Sequence, residues 1–501
     1  MIRNIPTYRV LSGGSLLFFV FFLSFSAPVQ AQVSEQVADL ILDQLNNSDI
    51  KNDVSSSDVN FFEISDILVF GNDKTKEDII FRELDITKGQ TVLKSELEDI
   101  LETNRKKIFN TSLFLSVEME VLERPSNKID IVIKVSERWY IFPVPLFKLD
   151  ARNFNDWWTN HNRDFSRVSY GIRFYQYNLR GRNERLKLTA QFGFTNVLQL
   201  SYRVPYIDRA KRNGLTINVG YNANKKINYK TEDHVPVVVD FGKRTRESRY
   251  ALLTFSHRPS FYNFHFFTVG YQHYSINDSI AILNPDFFLN GRTEQKYFRL
   301  RYQYRKDYRD IAAYPLSGYL FTAEAEKIGL GIYNDINMFE VDVNYYKYFK
   351  LKNNVFISTR LAGNISFPNR QPYINFRGLG YRPNFIRGYE LNVIDGQSFL
   401  LNKITLKKRL LSIRKKFNNL IKKDQFQTIP LDIYLKTYYD SGIVNNSLSG
   451  EQNERLSNKY LYGTGIGLDF VTYYDFVIRC EYSINSSGEH GFFLNFKSDL
   501  R

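Results

Sequence analysis

The sequence predicts an all-β transmembrane barrel preceded by one small α+β domain. Three observations lead there. The 501 residues include 34 Tyr and 42 Phe and are 16% aromatic, yet 24% are charged and the mean hydropathy is −0.36. That is too polar for a helical membrane protein and unusually aromatic for a soluble one; a barrel fits, because each strand is only half lipid-facing and aromatic girdles mark both interfaces. From residue 138 onward, segments of about ten residues alternate apolar and polar, the pattern of strands with one face in lipid. Finally, apart from the N-terminus no run of about 18 apolar residues offers a spanning helix.

The totals also exclude function classes. One cysteine, Cys480, rules out a disulfide framework or a Cys-based metal cluster. The six histidines are scattered, with His257 and His265 in strand-like text rather than at zinc-ligand spacing on a helix. No metal and no cofactor are expected. The net charge of +14 invites a nucleic-acid partner, but the arginines alternate with aromatics along strands instead of forming a basic tail. A polar barrel lumen and loops facing anionic lipid headgroups account for the charge, so no nucleic acid is expected. No nucleophile elbow, P-loop or triad is present, so no catalytic residue is assigned; a hydrolase built inside a barrel from scattered residues is the enzymatic alternative.

In chain order, Arg3 and Arg9 precede the apolar run Leu16–Leu23, and Val29-Gln30-Ala31 supplies small residues at the −3 and −1 positions of a cleavage site. Residues 1–31 read as a secretory signal peptide, with no cysteine after it for a lipid anchor. Residues 32–60 carry helical spacing at Val33, Val37, Leu40, Ile41 and Leu45, then a polar linker. Residues 61–137 give the order β-α-α-β-β. Phe62 to Phe70 is a strand closed by Gly71-Asn72; Thr75 with Asp78 and Ser95 with Glu98 resemble capping boxes opening two helices. Two alternating strands follow, Leu115, Val117, Met119 and Val121 on one face of the first, Ile129, Ile131, Ile133 and Val135 on one face of the second.

Residues 138–501 form the barrel. Leu186, Leu188, Ala190, Phe192 and Phe194 oppose Arg185, Lys187, Thr189 and Gln191; Phe298, Leu300, Tyr302 and Tyr304 oppose Arg299, Arg301 and Gln303; Phe476, Ile478, Cys480 and Tyr482 oppose Arg479 and Glu481. A soluble sandwich also alternates, but seldom combines this aromatic load with charges on the opposite face of nearly every strand. Between two such regions lies Phe376 to Tyr389, with Arg377, Arg382 and Arg387 among aromatics and glycines. An arginine-rich surface loop is one reading. A loop folded into a polar cavity explains more, because the arginines need acceptors and the glycines permit close backbone approach.

Within that loop, Ile386-Arg387-Gly388-Tyr389 resembles the (V/I/L)-R-G-(F/Y) signature in the sixth extracellular loop of the BamA/TamA/two-partner-secretion superfamily of outer-membrane barrels. Residues 61–137 resemble that superfamily's polypeptide-transport-associated (POTRA) domain, with Gly71, Asn72 and Phe114 as landmarks. Asn178 to Glu184 resembles the first hairpin, Asp307-Tyr308-Arg309-Asp310 and Tyr314-Pro315-Leu316-Ser317-Gly318 the mid-barrel text, and Tyr438-Tyr439-Asp440-Ser441-Gly442 the F-x-D-x-G motif with tyrosine in place of phenylalanine. The resemblance implies about 16 antiparallel strands, about 23 residues per strand with its connection, which suits strands of about ten. It also implies a lock in which Arg387 pairs with Asp440, beside Gly442. Some relatives place a second acid in the strand after the loop; here that strand reads Asn402 to Arg409 without one, so the lock is expected to be weaker or differently arranged. Lys497 to Arg501 follow the terminal aromatic Phe496 as an unusual tail.

The function implied is non-enzymatic: an outer-membrane protein insertase or translocase of a diderm bacterium, its single POTRA domain in the periplasm. Its partners would be outer-membrane phospholipid and lipopolysaccharide, unfolded or partly folded polypeptide clients, and accessory assembly subunits. The alternative is a secretion pore dedicated to one partner protein; a passive channel explains neither the POTRA domain nor the Arg-Gly loop.

Overall fold

The computed structural model describes residues 61–149, 154–159, 162–381, 383–416, 428–448, 453–472 and 476–498. The expected signal peptide, the helix over Val33–Leu45 and its linker lie outside the described residues, as do Arg382 and the basic residues Lys422 and Lys423.

The small domain contains strands β1 (Phe61–Phe70), β2 (Thr91–Leu93), β3 (Phe114–Arg124) and β4 (Lys128–Glu137), with helices α1 (Glu77–Phe81) and α2 (Leu97–Phe109). The sheet order is β2-β1-β4-β3, with β1 and β4 parallel. Strand β2 is an addition to the expected β-α-α-β-β order; at three residues it is too short for alternation to reveal it. Ile64, Ile80, Ile108, Phe114, Ile129, Ile131 and Ile133 fill the core. Gly71 is left-handed at φ 87°, and a Cβ there would lie 2.1 Å from the Val135 carbonyl oxygen, so only glycine fits. Asn72 Nδ2 donates to the Thr75 carbonyl at 3.0 Å. The two expected capping boxes are not formed. The N-cap of α1 is Lys76, and Ser95 sits in a 3-10 turn before α2, whose N-cap is Glu96. Thr75 Oγ1 instead donates to Glu137 Oε1 at 2.5 Å, a tertiary partner that the local pattern does not reveal.

Among the described residues beyond it, sixteen strands form one antiparallel sheet in chain order. It opens with β5 (Ile141–Leu149); the short helix α3 (Phe154–Thr159) follows, then β6 (Val168–Leu179), β7 (Glu184–Gly193), β8 (Thr195–Val204) and β9 (Asn213–Asn224). A separate hairpin, β10 (Lys226–Glu232) and β11 (Val235–Asp240), interrupts it. The sheet resumes with β12 (Arg246–His257) and β13 (Asn263–Ile276), then, after helix α4 (Asp278–Leu283), β14 (Glu294–Asp307), β15 (Gly318–Ile328), β16 (Met338–Lys350) and β17 (Val355–Phe367). It ends with β18 (Ser398–Lys416), β19 (Thr428–Asn445), β20 (Leu461–Thr472), β21 (Phe476–Asn485) and β22 (His490–Ser498). Among the described residues no ladder joins β5 to β22; α3 lies against β22 at this seam.

The two faces differ as the alternation predicts. Leu188, Phe192, Leu253, Val269, Leu300, Leu361, Leu400 and Tyr482 are exposed on the outer face. Thr189, Gln191, Glu326, Arg360, Asp440, Asp469 and Glu481 are buried on the inner one. An exposed apolar belt around a charged, hydrogen-bonded interior is what a bilayer-spanning barrel requires. No helix among the described residues is long and apolar enough to cross a membrane.

The small domain is tied to the turns at one mouth of the barrel. Asn178 Nδ2 donates to Thr75 Oγ1 at 2.8 Å, and the Lys76 backbone N–H to the Gly181 carbonyl at 3.0 Å. Arg258 grips Glu83 with two bonds of 2.7 Å. Asn110 reaches the Asp310 carbonyl at 3.0 Å.

Candidate functional site

Residues 368–397, between β17 and β18, fold back into the interior rather than lying on the surface. The apolar side chains explain why: Leu379, Ile386, Tyr389 and Ile394 are each at most 2% exposed and pack with Ala362, Phe399, Leu401, Val444 and Leu461 of the barrel wall. Burying such side chains contributes roughly 1.5–3 kcal/mol each. Leu379 and Ile394 exchange backbone hydrogen bonds of 2.9 and 2.8 Å, closing the loop on itself. From β17, Arg360 donates to the Pro383 carbonyl at 3.0 Å and to Asn384 Oδ1 at 2.5 Å.

This packing delivers the Arg387 side chain to the inner faces of three strands, β18, β19 and β21. Its Nε and Nη2 donate to Asp440 Oδ2 and Oδ1 at 2.8 and 2.6 Å, and its backbone N–H donates to Oδ2 at 3.1 Å. Nη2 also reaches Thr405 Oγ1 at 2.9 Å, Nη1 lies 3.4 Å from Glu481 Oε1, and the guanidinium sits 3.7 Å from the centre of the Tyr438 ring. Asp440 is fully buried on β19. A guanidinium withdrawn from water needs such bidentate, charge-assisted acceptors. The sequence motifs thus bring Ile386, Arg387, Gly388, Tyr389, Asp440 and Gly442 into one place. Gly388 has φ 96°, and its carbonyl accepts from Asn485 Nδ2 at 2.9 Å. Tyr389 OH meets Ser486 Oγ at 2.7 Å. A Cβ on Gly442 would come within 3.2 Å of Ile386 Cδ1. Arg377 lies over the Tyr381 ring at 5.2 Å, apart from this cluster, and Arg382 is outside the described residues. Gly71, Asn72 and Phe114 belong to the small domain and take no part in it.

Several members were not identified from the sequence. The second acid is Glu481, on β21, not on the strand after the loop; that strand, β18, contributes the cation Lys403, 3.0 Å from Asp440 Oδ2 and donating to the Phe385 carbonyl at 2.8 Å. Lys436 joins Glu481 at 2.8 Å and also contacts Asp469, which accepts from Tyr314 OH at 2.8 Å. The charges therefore form a chain from the loop to the turn at the small domain's end of the barrel. Alternation marks Glu481 and Lys436 as inward-facing, but nothing in a single strand says what they face. Gly463 was also missed: a Cβ there would lie 1.8 Å from the Arg387 carbonyl oxygen.

Beneath the loop, a cavity of about 800 Å³ reaches the small domain, lined by Arg185, Arg203, Arg305, Lys407 and Arg479 as well as by Glu83 and Lys107. At the other end, the β10–β11 hairpin folds over the loop. Its turn residue His234 is buried, with Nε2 accepting from the Leu456 N–H at 2.9 Å and Nδ1 3.2 Å from the Val393 carbonyl. These partners require the neutral ring with its proton on Nδ1. Burial lowers its pKa, with Arg455, Lys459 and Asp233 the nearby charges. A fold that favours the neutral ring keeps that stability above the ordinary histidine pKa and loses it as pH falls below about 6.5. Hydrogen exchange at the Leu456 amide, corrected for intrinsic rates, should accelerate between pH 7 and 5, and His234→Gln should abolish that step.

A profile of the Omp85 superfamily domain matches residues 178–482, and one for a surface antigen variable number repeat, the POTRA unit, matches residues 62–138. Among solved structures, BamA from Haemophilus ducreyi lacking POTRA domains 1-3 is 15% identical with a TM-score of 0.51, over 87% of this chain and 84% of that one. CdiB from Acinetobacter baumannii is 14% identical with a TM-score of 0.46 over 87% and 73% of the two chains. CdiB from Escherichia coli is 10% identical with a TM-score of 0.48 over 95% and 99%. The first likeness bears on the fold alone, and the two CdiB likenesses are too loose to argue from. No curated protein matches the sequence.

Proposed function

The chain belongs to the Omp85 superfamily, whose members are non-enzymatic insertases or transporters, and from that premise we propose that it assembles polypeptide clients into the outer membrane. The small domain, in the periplasm, receives an extended client along a free sheet edge. Strand β3, eleven residues long at one end of the sheet order, is the edge suited to β-augmentation. The client then passes to the seam between β5 and β22. Phospholipid and lipopolysaccharide surround the outer belt, and accessory subunits bind the periplasmic face.

The observation that carries this reading is the seam. An interior crossed by the locked loop, with the small domain across one mouth, does not suit a diffusion channel, whereas two sheet ends with no ladder between them among the described residues give backbone groups that a client strand can use. Within it, the pairing of Arg387 with Asp440 acts as a lock, holding the loop against β18, β19 and β21 and bracing the wall beside the seam.

Depleting the protein and quantifying the outer-membrane proteome tests the proposal. Many unrelated barrels should fall together. If one secreted or surface protein vanishes while the barrels stay, the protein is instead a secretion pore for that partner.

A further inference from the structure

The cavity beneath the loop gathers positive charge that its own acids do not balance. Arg203 on β8 and Arg305 on β14 line it, and among the described residues neither makes an ion pair or a side-chain hydrogen bond. Arg305 Nε is buried with no partner. Its guanidinium lies over the Phe264 and Phe266 rings at 4.3 and 5.2 Å. Ring faces hold the cation in place but accept none of its N–H groups as a carboxylate would, so the donor fork stays available. Arg185 on β7 stands directly opposite Arg203 and donates to the Thr111 carbonyl of the small domain at 3.2 Å. Like charges directly opposite on neighbouring strands repel, and Arg203 is also within electrostatic reach of Arg258 and Arg305.

The acids around the cavity are already engaged. Glu83 is held by Arg258 and Tyr206, and Asp307 receives two bonds of 2.7 and 2.6 Å from Arg309. Asp469 is held by Lys436 and Tyr314, and Glu481 by Lys436 and Arg387. Water can satisfy a buried N–H, but it cannot neutralise several guanidinium groups gathered in a partly desolvated space. An anion does both.

We propose that this cavity is a binding site for a phosphate-bearing ligand, with Arg203 and Arg305 as its principal contacts and Arg185 beside them. It goes beyond client assembly and does not depend on it. Phosphate suits the cluster better than carboxylate, because one group brings close to two negative charges and three acceptor oxygens and can receive two arginine forks at once. A cavity of about 800 Å³ is in the range that holds a small molecule. A soluble phosphorylated compound and a phospholipid headgroup present the same chemistry, and the test separates them.

Isothermal titration calorimetry of the full-length protein in phosphatidylcholine nanodiscs, with inorganic pyrophosphate as the probe, reads the site. Saturable binding is expected, weakened about tenfold by Arg203→Gln or by Arg305→Gln. Arg244→Gln, at an exposed arginine in the turn between β11 and β12, should leave it unchanged. Both cavity variants remove unpaired charge, so each should fold at least as stably as the unaltered chain; should one misfold, binding to the unaltered chain still decides the matter. Repeating the titration in nanodiscs that contain phosphatidic acid separates the sources. A fall in apparent pyrophosphate affinity assigns the site to a lipid headgroup, and an unchanged affinity assigns it to a soluble compound. No saturable binding to the unaltered chain, or binding that both cavity variants leave intact, overturns the proposal. A polyglutamate peptide that binds more tightly than pyrophosphate overturns it in favour of an acidic polypeptide.

Discussion

Arg387→Ala is expected to destabilise the barrel by about 3–5 kcal/mol, because it removes the bidentate partner of the fully buried Asp440 and leaves it with the lysine contact of Lys403 at 3.0 Å. Asp440→Ala should have an effect of similar size, since it strands a guanidinium whose other acid, Glu481, is 3.4 Å away and shared with Lys436. The double variant should lose far less than the sum, with a coupling of about 2–3 kcal/mol. Arg387→Lys should behave almost as badly as alanine, because an ammonium cannot make the two parallel bonds of 2.8 and 2.6 Å to Asp440. Urea unfolding in lipid vesicles, followed by tryptophan fluorescence, measures each variant. Strictly additive losses would sink the pair as a unit. Coupling without any change in client assembly would make the pair a structural brace, with no part in handling clients.

Why this pair is legible in sequence and its surroundings are not follows from the range of the signals. Ile386 to Tyr389 and Tyr438 to Gly442 are short strings that resemble the superfamily's motifs, and their pairing through Arg387 and Asp440 is what that resemblance implies; neither string alone says what the other touches. The strands are legible because the side-chain period of two is local. Glu481 and Lys436 carry that period as well, but their partners lie on other strands, and only closure of the sheet decides which inward residues touch. The capping boxes expected at Thr75 and Ser95 fail for the same reason. Thr75 is used by Glu137, Tyr140 and Asn178 to tie the small domain to the barrel, and a local pattern cannot foresee a competing tertiary partner. Strand β2, at three residues, is too short for alternation to show, and the continuous apolar run of β11 carries no period that marks a hairpin.

The docking of the small domain depends most on a residue that no motif marks. Glu83 follows α1 and is 3% exposed; it receives two bonds of 2.7 Å from Arg258 and one of 3.0 Å from Tyr206 OH. Arg258 is held in turn by the Phe261 carbonyl and lies over the Phe261 and Phe264 rings. Arg258→Ala should therefore release the small domain, as it leaves a buried carboxylate without its charge partner, at a cost of about 3–5 kcal/mol to docking. Glu83→Gln should weaken docking less, since an amide oxygen still accepts from Tyr206, and Glu83→Ala with Arg258→Ala should recover part of the loss because no lone charge remains. Limited proteolysis at Lys211, in the turn between β8 and β9, reads the undocking, because its Nζ donates to the Asp78 carbonyl of the small domain at 2.9 Å and its own carbonyl accepts from Arg82 Nε at 2.8 Å. Unchanged protection in Arg258→Ala would move the anchorage to Thr75 and Asn178. If protection falls and client assembly falls with it, the position of the receiving domain over the barrel mouth matters to delivery. If protection falls and assembly persists, delivery works from a freely tethered domain, and the seam alone fixes where the client enters.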